Sequence, residues 1–444
     1  LVLAIPPANW TTLIDEICDG SWINPLNGKR FPAAPYDSIV MKESLAGEEA
    51  GLVQALGFAP PFIVVSDENT HKAMGARVAK ALSALGTVTE IILDHPHADI
   101  ETAHQLQKKI AGFASVIAVG SGTINDLTKY ATFLDNRRYC VFATAGSMNG
   151  YTSSTASITL DSGLKVSLPA QATAGFFVDL EVCAAAPSYL NAAGFGDCLC
   201  RSVAQIDWWM SHRLLDTSYH HEPYLIEIPD EIELMKRAAG IKNGDIDAIG
   251  YLFRVLTLCG LGITFTNMSN HGSMGEHQIS HYIDCFAKSQ HPGTLHGQQV
   301  GVATLTMARV QTMFLSSQTA PVLSPTKIDK GGMIARMGHD VALQCLDELK
   351  LKALDDRATD HLNKKLEVIW PNLRQQCLDM AVPVEVLTDK LRLSGGPTTA
   401  TELGLPVKFY QEAVTHAHEM RSRFSFSDIA SLTGNLQRLA ARET

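Results

Sequence analysis

The chain has 444 residues, of which 46% are apolar and 18% charged, and its formal net charge is −10. A globular chain of this length divides into two domains and buries roughly 75% of its unfolded surface, so it needs neither disulfides nor a structural metal to fold. The acidic balance argues against a phosphate-backbone partner, and no stretch reaches the ~18 consecutive apolar residues of a membrane span, so neither nucleic acid nor membrane is expected as a partner.

The first 180 residues alternate between short β-branched runs and helical spacings. Pro61 to Ser66 (PFIVVS) predicts a buried strand, and Thr70 to Leu85 a helix with Thr70 as N-cap. Thr87 to Leu93 is a second strand, Asp99 to Gly112 a second helix, Ser115 to Gly120 (SVIAVG) a third strand and Thr123 to Leu134 a third helix. Arg138 to Thr144 is a fourth strand, Ser157 to Leu168 a hairpin around Asp161-Ser162-Gly163, and Gly175 to Leu180 the last strand. Strands alternating with helices of this length imply a parallel sheet covered on both faces.

After Leu180 the alternation stops. Helices are predicted at Gly196 to Arg213, Glu231 to Gly240, Ile246 to Asn267, Gly275 to Ala287, Gly331 to Leu349, Ala358 to Trp370 and Pro406 to Ser422. The apolar run Val255 to Phe265 reads as part of a buried helix. The expected organisation is an α/β dinucleotide-binding domain, residues 1–180, and an all-helical metal- and substrate-binding domain, residues 181–444. Cofactor and substrate are expected in the cleft between them. The opening LVLAIPPANW has no basic stretch ahead of its short apolar run, so no secretory signal is expected. The nine cysteines are irregularly spaced, with Cys198 and Cys200 as CxC, and read as free thiols of a cytoplasmic protein.

Four motifs carry chemistry. Gly120-Ser121-Gly122-Thr123-Ile124-Asn125-Asp126 follows a strand and opens a helix, where free N–H groups attract phosphate. It is GxGxxxD, not GxGxxG, and a tight strand-to-helix turn explains it equally well. Asp67 ends the first clear strand, where a carboxylate can accept both ribose hydroxyls of a dinucleotide or simply cap a helix. Five of the 16 histidines, His271, His277, His281, His291 and His296, fall within one short segment. His277 and His281 are four apart on one helix face, and such imidazoles can supply metal ligands while leaving another for substrate. Asp197 in Gly194-Phe195-Gly196-Asp197 is either an N-cap or a carboxylate ligand completing Asp-His-His.

In order and spacing these motifs resemble the sn-glycerol-1-phosphate dehydrogenases, most closely the bacterial branch, of the iron-containing alcohol dehydrogenase and dehydroquinate synthase-like superfamily. The resemblance runs from about residue 60 to 300, and weakly on to Arg423-Phe424-Ser425. It implies a Rossmann-like α/β domain followed by an all-α domain. It implies NAD(H) or NADP(H) as cofactor, with Asp67 at the adenosine ribose and Gly120, Ser121, Gly122, Thr123 and Asp126 in the pyrophosphate turn. Thr144, Ala145, Ser147 and Ser153 match a second cofactor loop. Asp197, His277 and His296 match ligands of one divalent metal (zinc, nickel or iron), and His281 a substrate-contacting histidine. Asn149 stands where the family usually has a substrate-touching Asp. Asn270-His271 replace its common Arg-Pro, and Met274 replaces a Gly. The substrate-binding set is then Asn149, Asp197 and His281, and the catalytic set Asp197, His277, His281 and His296.

The expected activity is a metal-dependent NAD(P)-linked dehydrogenase of a small polyol phosphate, in particular sn-glycerol 1-phosphate and dihydroxyacetone phosphate. A homodimer or larger homo-oligomer is expected. The alternatives are a dehydrogenase of an unphosphorylated polyol such as glycerol, a cyclase of the dehydroquinate synthase type, and a non-catalytic binding protein altered at Asn149. The cyclase needs several cations near its substrate, and the 265–300 segment carries only Lys288.

Overall fold

The computed structural model describes residues 3–30, 33–34 and 36–444. Its main sheet has six parallel strands: β1 (Ser38–Lys42), β2 (Phe62–Asp67), β3 (Val88–Leu93), β4 (Ser115–Gly120), β5 (Tyr139–Ala143) and β8 (Gly175–Asp179). Their order is β1-β8-β5-β4-β2-β3. Strands β4, β5 and β8 are buried at every residue, as a parallel strand covered on both faces must be. The edge strands β1 and β3 are only partly buried. Phe62, Val64, Ile117, Val119, Phe142 and Phe177 pack on one face against Val53, Leu56, Val78 and Leu82 of the covering helices. The expected hairpin forms as β6 (Thr155–Thr159) and β7 (Lys165–Pro169), antiparallel and apart from the main sheet.

Strand β1 and the helices Thr12–Cys18 and Glu49–Ala55 add to the predicted elements. Thr70 is not an N-cap. Asp67 caps instead, its Oδ1 accepting the Thr70 N–H at 2.8 Å while Thr70 Oγ1 accepts the Asp67 N–H at 3.0 Å. Asp197 is no cap either, since it lies inside the helix Ser188–Leu199.

The sheet ends at Asp179, and the chain is helical beyond it. Contacts group the chain into two compact units, Leu1–Phe195 with Glu222–Met268, and Gly196–His221 with Ser269–Thr444. The first unit contains the helix Ile246–Thr266, long and apolar enough to cross a membrane by composition; 89% of its most apolar window is buried inside the protein. Several predicted helices differ in extent. The Gly331 to Leu349 segment breaks at Gly338, whose φ of +80° ends Lys330–Met337 before His339–Lys350 begins. The helix predicted to end at Trp370 continues through Pro371 to Met380. The predicted Glu231 start lies inside Glu222–Lys236, which accommodates Pro229. The 20-residue helix His296–Leu315 was not among the predicted elements. All nine cysteines are free thiols.

Candidate functional site

In the first unit, the chain leaves β2 for β3 on one side and returns to β4 on the other, so β2 and β4 flank a reversal of strand order. In open parallel sheets ligands bind beyond the carboxyl ends of strands at such a reversal. Asp67 ends β2 and Gly120 ends β4. Ser121 is extended, and the helix Gly122–Leu134 starts at the next residue, so its unpaired N–H groups face this end of the sheet. Ser121, Gly122 and Thr123 are half-buried. A Cβ on Gly120 would lie 2.6 Å from Ile124 Cβ, and one on Gly122 would lie 2.9 Å from Met148 Sδ, so the turn admits no larger residue without rearrangement. Asp126 turns inward: its carboxylate accepts from Asn125 Nδ2 and the Ser157 N–H at 3.1 Å each, and burial raises its pKa.

The loop after β5 is built onto this turn. The Thr144 N–H donates to the Gly120 carbonyl, and Tyr151 Oη donates to the Ala145 carbonyl at 2.7 Å. Lys129, three residues after Asp126, is fully buried. Its ammonium donates to the carbonyls of Gly150, Ser153 and Thr155 at 2.5, 3.0 and 3.1 Å and to Ser153 Oγ at 3.3 Å. Burial lowers it to about 8, against the pull of Asp126. Thr144, Ala145 and Ser153 are buried, and the Ser153 hydroxyl is committed to this loop, whereas Ser147 and Asn149 are half-buried. The Asn149 carbonyl passes over Gly260, where a Cβ would stand 2.9 Å from it.

In the second unit, Asp197, His277 and His296 come together, with one ligand atom from each within 4.8 Å of the others. His277 and His281 are on the helix Gly275–Phe286, and His296 opens His296–Leu315. His277 Nε2 is 3.5 Å from Asp197 Oδ1, while its Nδ1 is 2.8 Å from Glu276 Oε1. A carboxylate only accepts, so the His277 Nδ1–H donates to Glu276, and in the neutral ring Nε2 then carries the lone pair, 3.5 Å from Asp197 Oδ1. The His277 and His296 ring centroids are 5.0 Å apart, and His281 is 5.5 Å from His296 and 6.2 Å from His277. A carboxylate and two imidazoles are a donor set that can hold a catalytic divalent metal.

Cys200, Glu276 and His277 form another close group. Cys200 Sγ donates to the Gly272 carbonyl at 3.3 Å and is therefore a protonated thiol, and Glu276 Oε1 also accepts the Met274 N–H at 2.8 Å. Both support the site rather than supply ligands. Close approach of two helices places Asp197 beside His296: a Cβ on Gly196 would lie 2.4 Å from the Gly297 carbonyl oxygen and 3.3 Å from Gly301 Cα. Beneath, buried Asp207 accepts from Gln311 Nε2 and the Phe426 N–H at 3.0 Å each, and burial with the Glu276 charge pushes it up to about 8. Arg423 holds the segment before His277, donating to the Ser273 carbonyl and to Ser269 Oγ.

Lys129, Glu276 and Asp207 were not singled out from sequence. Lys129 is signalled by its i,i+3 spacing from Asp126, and Glu276 by adjacency to His277; Asp207 has no local signal. His271 is buried against Trp208 rather than in the His277 cluster, and His291 lies in a hydrogen-bonded loop.

Comparison with known proteins agrees with this geometry. Residues 40–187 match the family model described as iron-containing alcohol dehydrogenase. The chain is 27% identical over 371 residues to "Glycerol-1-phosphate dehydrogenase [NAD(P)+]" of Bacillus velezensis, covering 82% of this chain and 83% of that protein. It is 33% identical over 250 residues to the protein of the same name from Halalkalibacterium halodurans, covering 54% and 62%. Its fold is similar to that of glycerol dehydrogenase from Schizosaccharomyces pombe, with a TM-score of 0.60 at 18% identity over 93% of this chain and 92% of that one. Over most of its length the chain is thus similar to proteins named glycerol-1-phosphate dehydrogenase, and residues 40–187 match the iron-containing alcohol dehydrogenase family.

Proposed function

We propose that this chain is a metal-dependent, NAD(P)-linked dehydrogenase interconverting sn-glycerol 1-phosphate and dihydroxyacetone phosphate. The observation that carries the reading is the convergence of Asp197, His277 and His296 within 4.8 Å, in a chain whose relatives bear the name glycerol-1-phosphate dehydrogenase. These three residues would hold one divalent cation; zinc, nickel and iron all suit two imidazoles and a carboxylate. When bound, the cation supplies Lewis-acid chemistry at the oxygen of the carbon that exchanges hydride with the nicotinamide.

The protein's own groups do the rest. Asp67 accepts hydroxyls of the adenosine ribose, and the helix Gly122–Leu134 turns its positive end to the pyrophosphate. Thr144 and Ser147, on the loop braced by Lys129, complete the cofactor pocket. Asn149 presents both a donor and an acceptor to a substrate hydroxyl. His281, one helical turn from His277, holds a substrate hydroxyl or passes the proton between the reacting oxygen and solvent. The same reading makes the protein a cytoplasmic enzyme, a compartment in which nine free thiols persist, and a homodimer or larger assembly.

Steady-state rates with NADH and NADPH on metal-replete enzyme test it. Dihydroxyacetone phosphate should be reduced, and glycerol 1-phosphate oxidised, with a higher kcat/KM than glycerol or dihydroxyacetone. A preference for the unphosphorylated compounds would overturn the substrate assignment, and no turnover of any of them would overturn the activity.

A further inference from the structure

A chain of hydrogen bonds, part-buried over most of its length, leads away from His296, and its polarity can be read from one end to the other. The Gly293 N–H donates to His291 Nδ1 at 3.0 Å, so the proton of the neutral His291 ring is on Nε2. His291 Nε2 lies 3.2 Å from Asp284 Oδ1 and donates to it. Gln299 Nε2 donates to the same oxygen at 2.9 Å; its 3.1 Å approach to His291 Nε2 is two donors converging on one acceptor. The Gln299 amide therefore cannot be reversed, because its oxygen would then face the Asp284 carboxylate. With the nitrogen towards Asp284, also donating to Thr294 Oγ1 at 3.3 Å, Gln299 Oε1 is an acceptor, and the Ser280 hydroxyl donates to it at 2.8 Å. Ser280 has one proton and has used it. At its 2.9 Å contact with His296 Nδ1 it must accept, so Nδ1 carries the ring proton and Nε2 carries the lone pair. Reversing the amide would reverse each bond and leave the proton on Nε2.

We propose that Gln299, oriented by Asp284 and acting through Ser280, is a positioning residue that locks His296 in the tautomer whose Nε2 can ligate a metal. The inference rests on the reading of Asp197, His277 and His296 as metal ligands. Ser280 and Gln299 are fully buried, so no solvent competes for the bond between them. Helical spacing builds the relay: His277, Ser280 and Asp284 share one face of Gly275–Phe286, and His296 and Gln299 share one face of His296–Leu315. The two imidazoles are thus set by different means, His277 by the adjacent carboxylate of Glu276 and His296 by a neutral hydroxyl–amide pair. Outer partners that orient a ligating histidine are worth about 10–100-fold in metal affinity.

The test measures zinc affinity of the full-length metal-free protein by competition with a chelator, together with the nitrogen chemical shifts of His296 in histidine-labelled protein. Ser280→Ala and Gln299→Met should each weaken zinc binding about 10–100-fold. In both variants the metal-free His296 should shift from a single Nδ1–H tautomer towards a mixture, with resonances assigned by their absence in His296→Ala. Zinc affinity and tautomer both unchanged in Ser280→Ala, the smaller change and the one that decides if Gln299→Met does not fold, would overturn the relay. His277→Ala separates the two layers: if it also leaves zinc affinity unchanged, the ligand assignment itself is wrong, whereas a loss of zinc there with intact binding in Ser280→Ala removes only the relay.

Discussion

Glu276 and His277 are neighbours in sequence and also hydrogen-bond partners, with Glu276 Oε1 2.8 Å from His277 Nδ1. Adjacent residues of a helix point about 100° apart, so the contact needs the carboxylate to fold back across the first turn, where it also caps the Met274 N–H. Replacing His277 or His296 with Ala should reduce bound metal below a tenth of the wild-type content and abolish turnover while leaving the circular dichroism spectrum intact. Glu276→Gln keeps the ligand but loses the charge behind it, and should weaken metal binding about 10–100-fold. Elemental analysis after dialysis checks both; full metal content in His277→Ala would refute the site.

Lys129 holds the 150–155 loop together through three carbonyls and one hydroxyl. Lys129→Met leaves those carbonyls buried without their shared donor and removes the positive charge near Asp126. A loss of about 3–5 kcal/mol in urea denaturation is expected, as for other broken buried pairs. NADH affinity should fall with it. A variant with wild-type stability would show that water replaces the ammonium.

The parts of this fold that sequence revealed are those where one residue pattern has one cheap structural solution. FIVVS and SVIAVG have the length and β-branching of buried parallel strands, and the Asp161-Ser162-Gly163 turn closes a hairpin. Strand β1 (SIVMK) was missed because five residues with a polar residue at each end resemble a loop edge. The helix Ser188–Leu199 was missed because Gly194 and Gly196 lower helix propensity, a cost overridden by the close packing they permit. The clustered histidines stood out as ligand types, but the choice of Asp197, His277 and His296 came from the family resemblance, because spacing alone left Asp197 a cap or a ligand. The groups that orient them did not stand out, because Ser280 and Gln299 are chemically ordinary and acquire a role only when two helices face each other.

Asp67 caps a helix and, in the proposed reading, also accepts ribose hydroxyls; one substitution separates the two roles. As a helix cap it accepts the Thr70 N–H, and its loss should cost about 1 kcal/mol. As the ribose acceptor it should disfavour a 2′-phosphate. Asp67→Ala should therefore lower the melting temperature modestly and narrow the preference for NADH over NADPH. Stopped-flow binding of both cofactors checks this; an unchanged cofactor ratio alongside the stability loss would leave Asp67 a cap alone.

Asp207 should leave a pH signature. Burial and the Glu276 charge push it up to about 8, whereas an unfolded aspartate titrates near ~3.9. Between those values the unfolded chain has released a proton that the folded chain retains, so this group's contribution to stability is present below about 4 and declines as pH rises towards about 8. Asp207→Asn cannot release that proton. Its stability relative to wild type should increase from pH 5 to pH 8 in urea titrations. Parallel pH dependences for the two proteins would show that Asp207 is ionised throughout.

Asn149 puts a neutral amide where a carboxylate is the family's usual residue. If the native reaction is that of glycerol 1-phosphate, Asn149→Asp adds a charge-assisted acceptor for a substrate hydroxyl, worth about 1.5–3 kcal/mol, and should raise kcat/KM for dihydroxyacetone phosphate. Unchanged kinetics on glycerol, both glycerol phosphates and dihydroxyacetone phosphate would mean that residue 149 does not touch the reacting molecule.

Gly196, Gly297 and Gly301 let two helices meet main chain to main chain, with no side chain between the residue before Asp197 and the residue after His296. The bite of the donor set is thereby a dimension of the backbone. Repacking of the surrounding apolar residues cannot widen it to suit a larger cation, because there is no intervening side chain to trim. It can be lost in one step, since any side chain at 196 acts as a shim that drives the two proposed ligands apart while leaving both in the sequence.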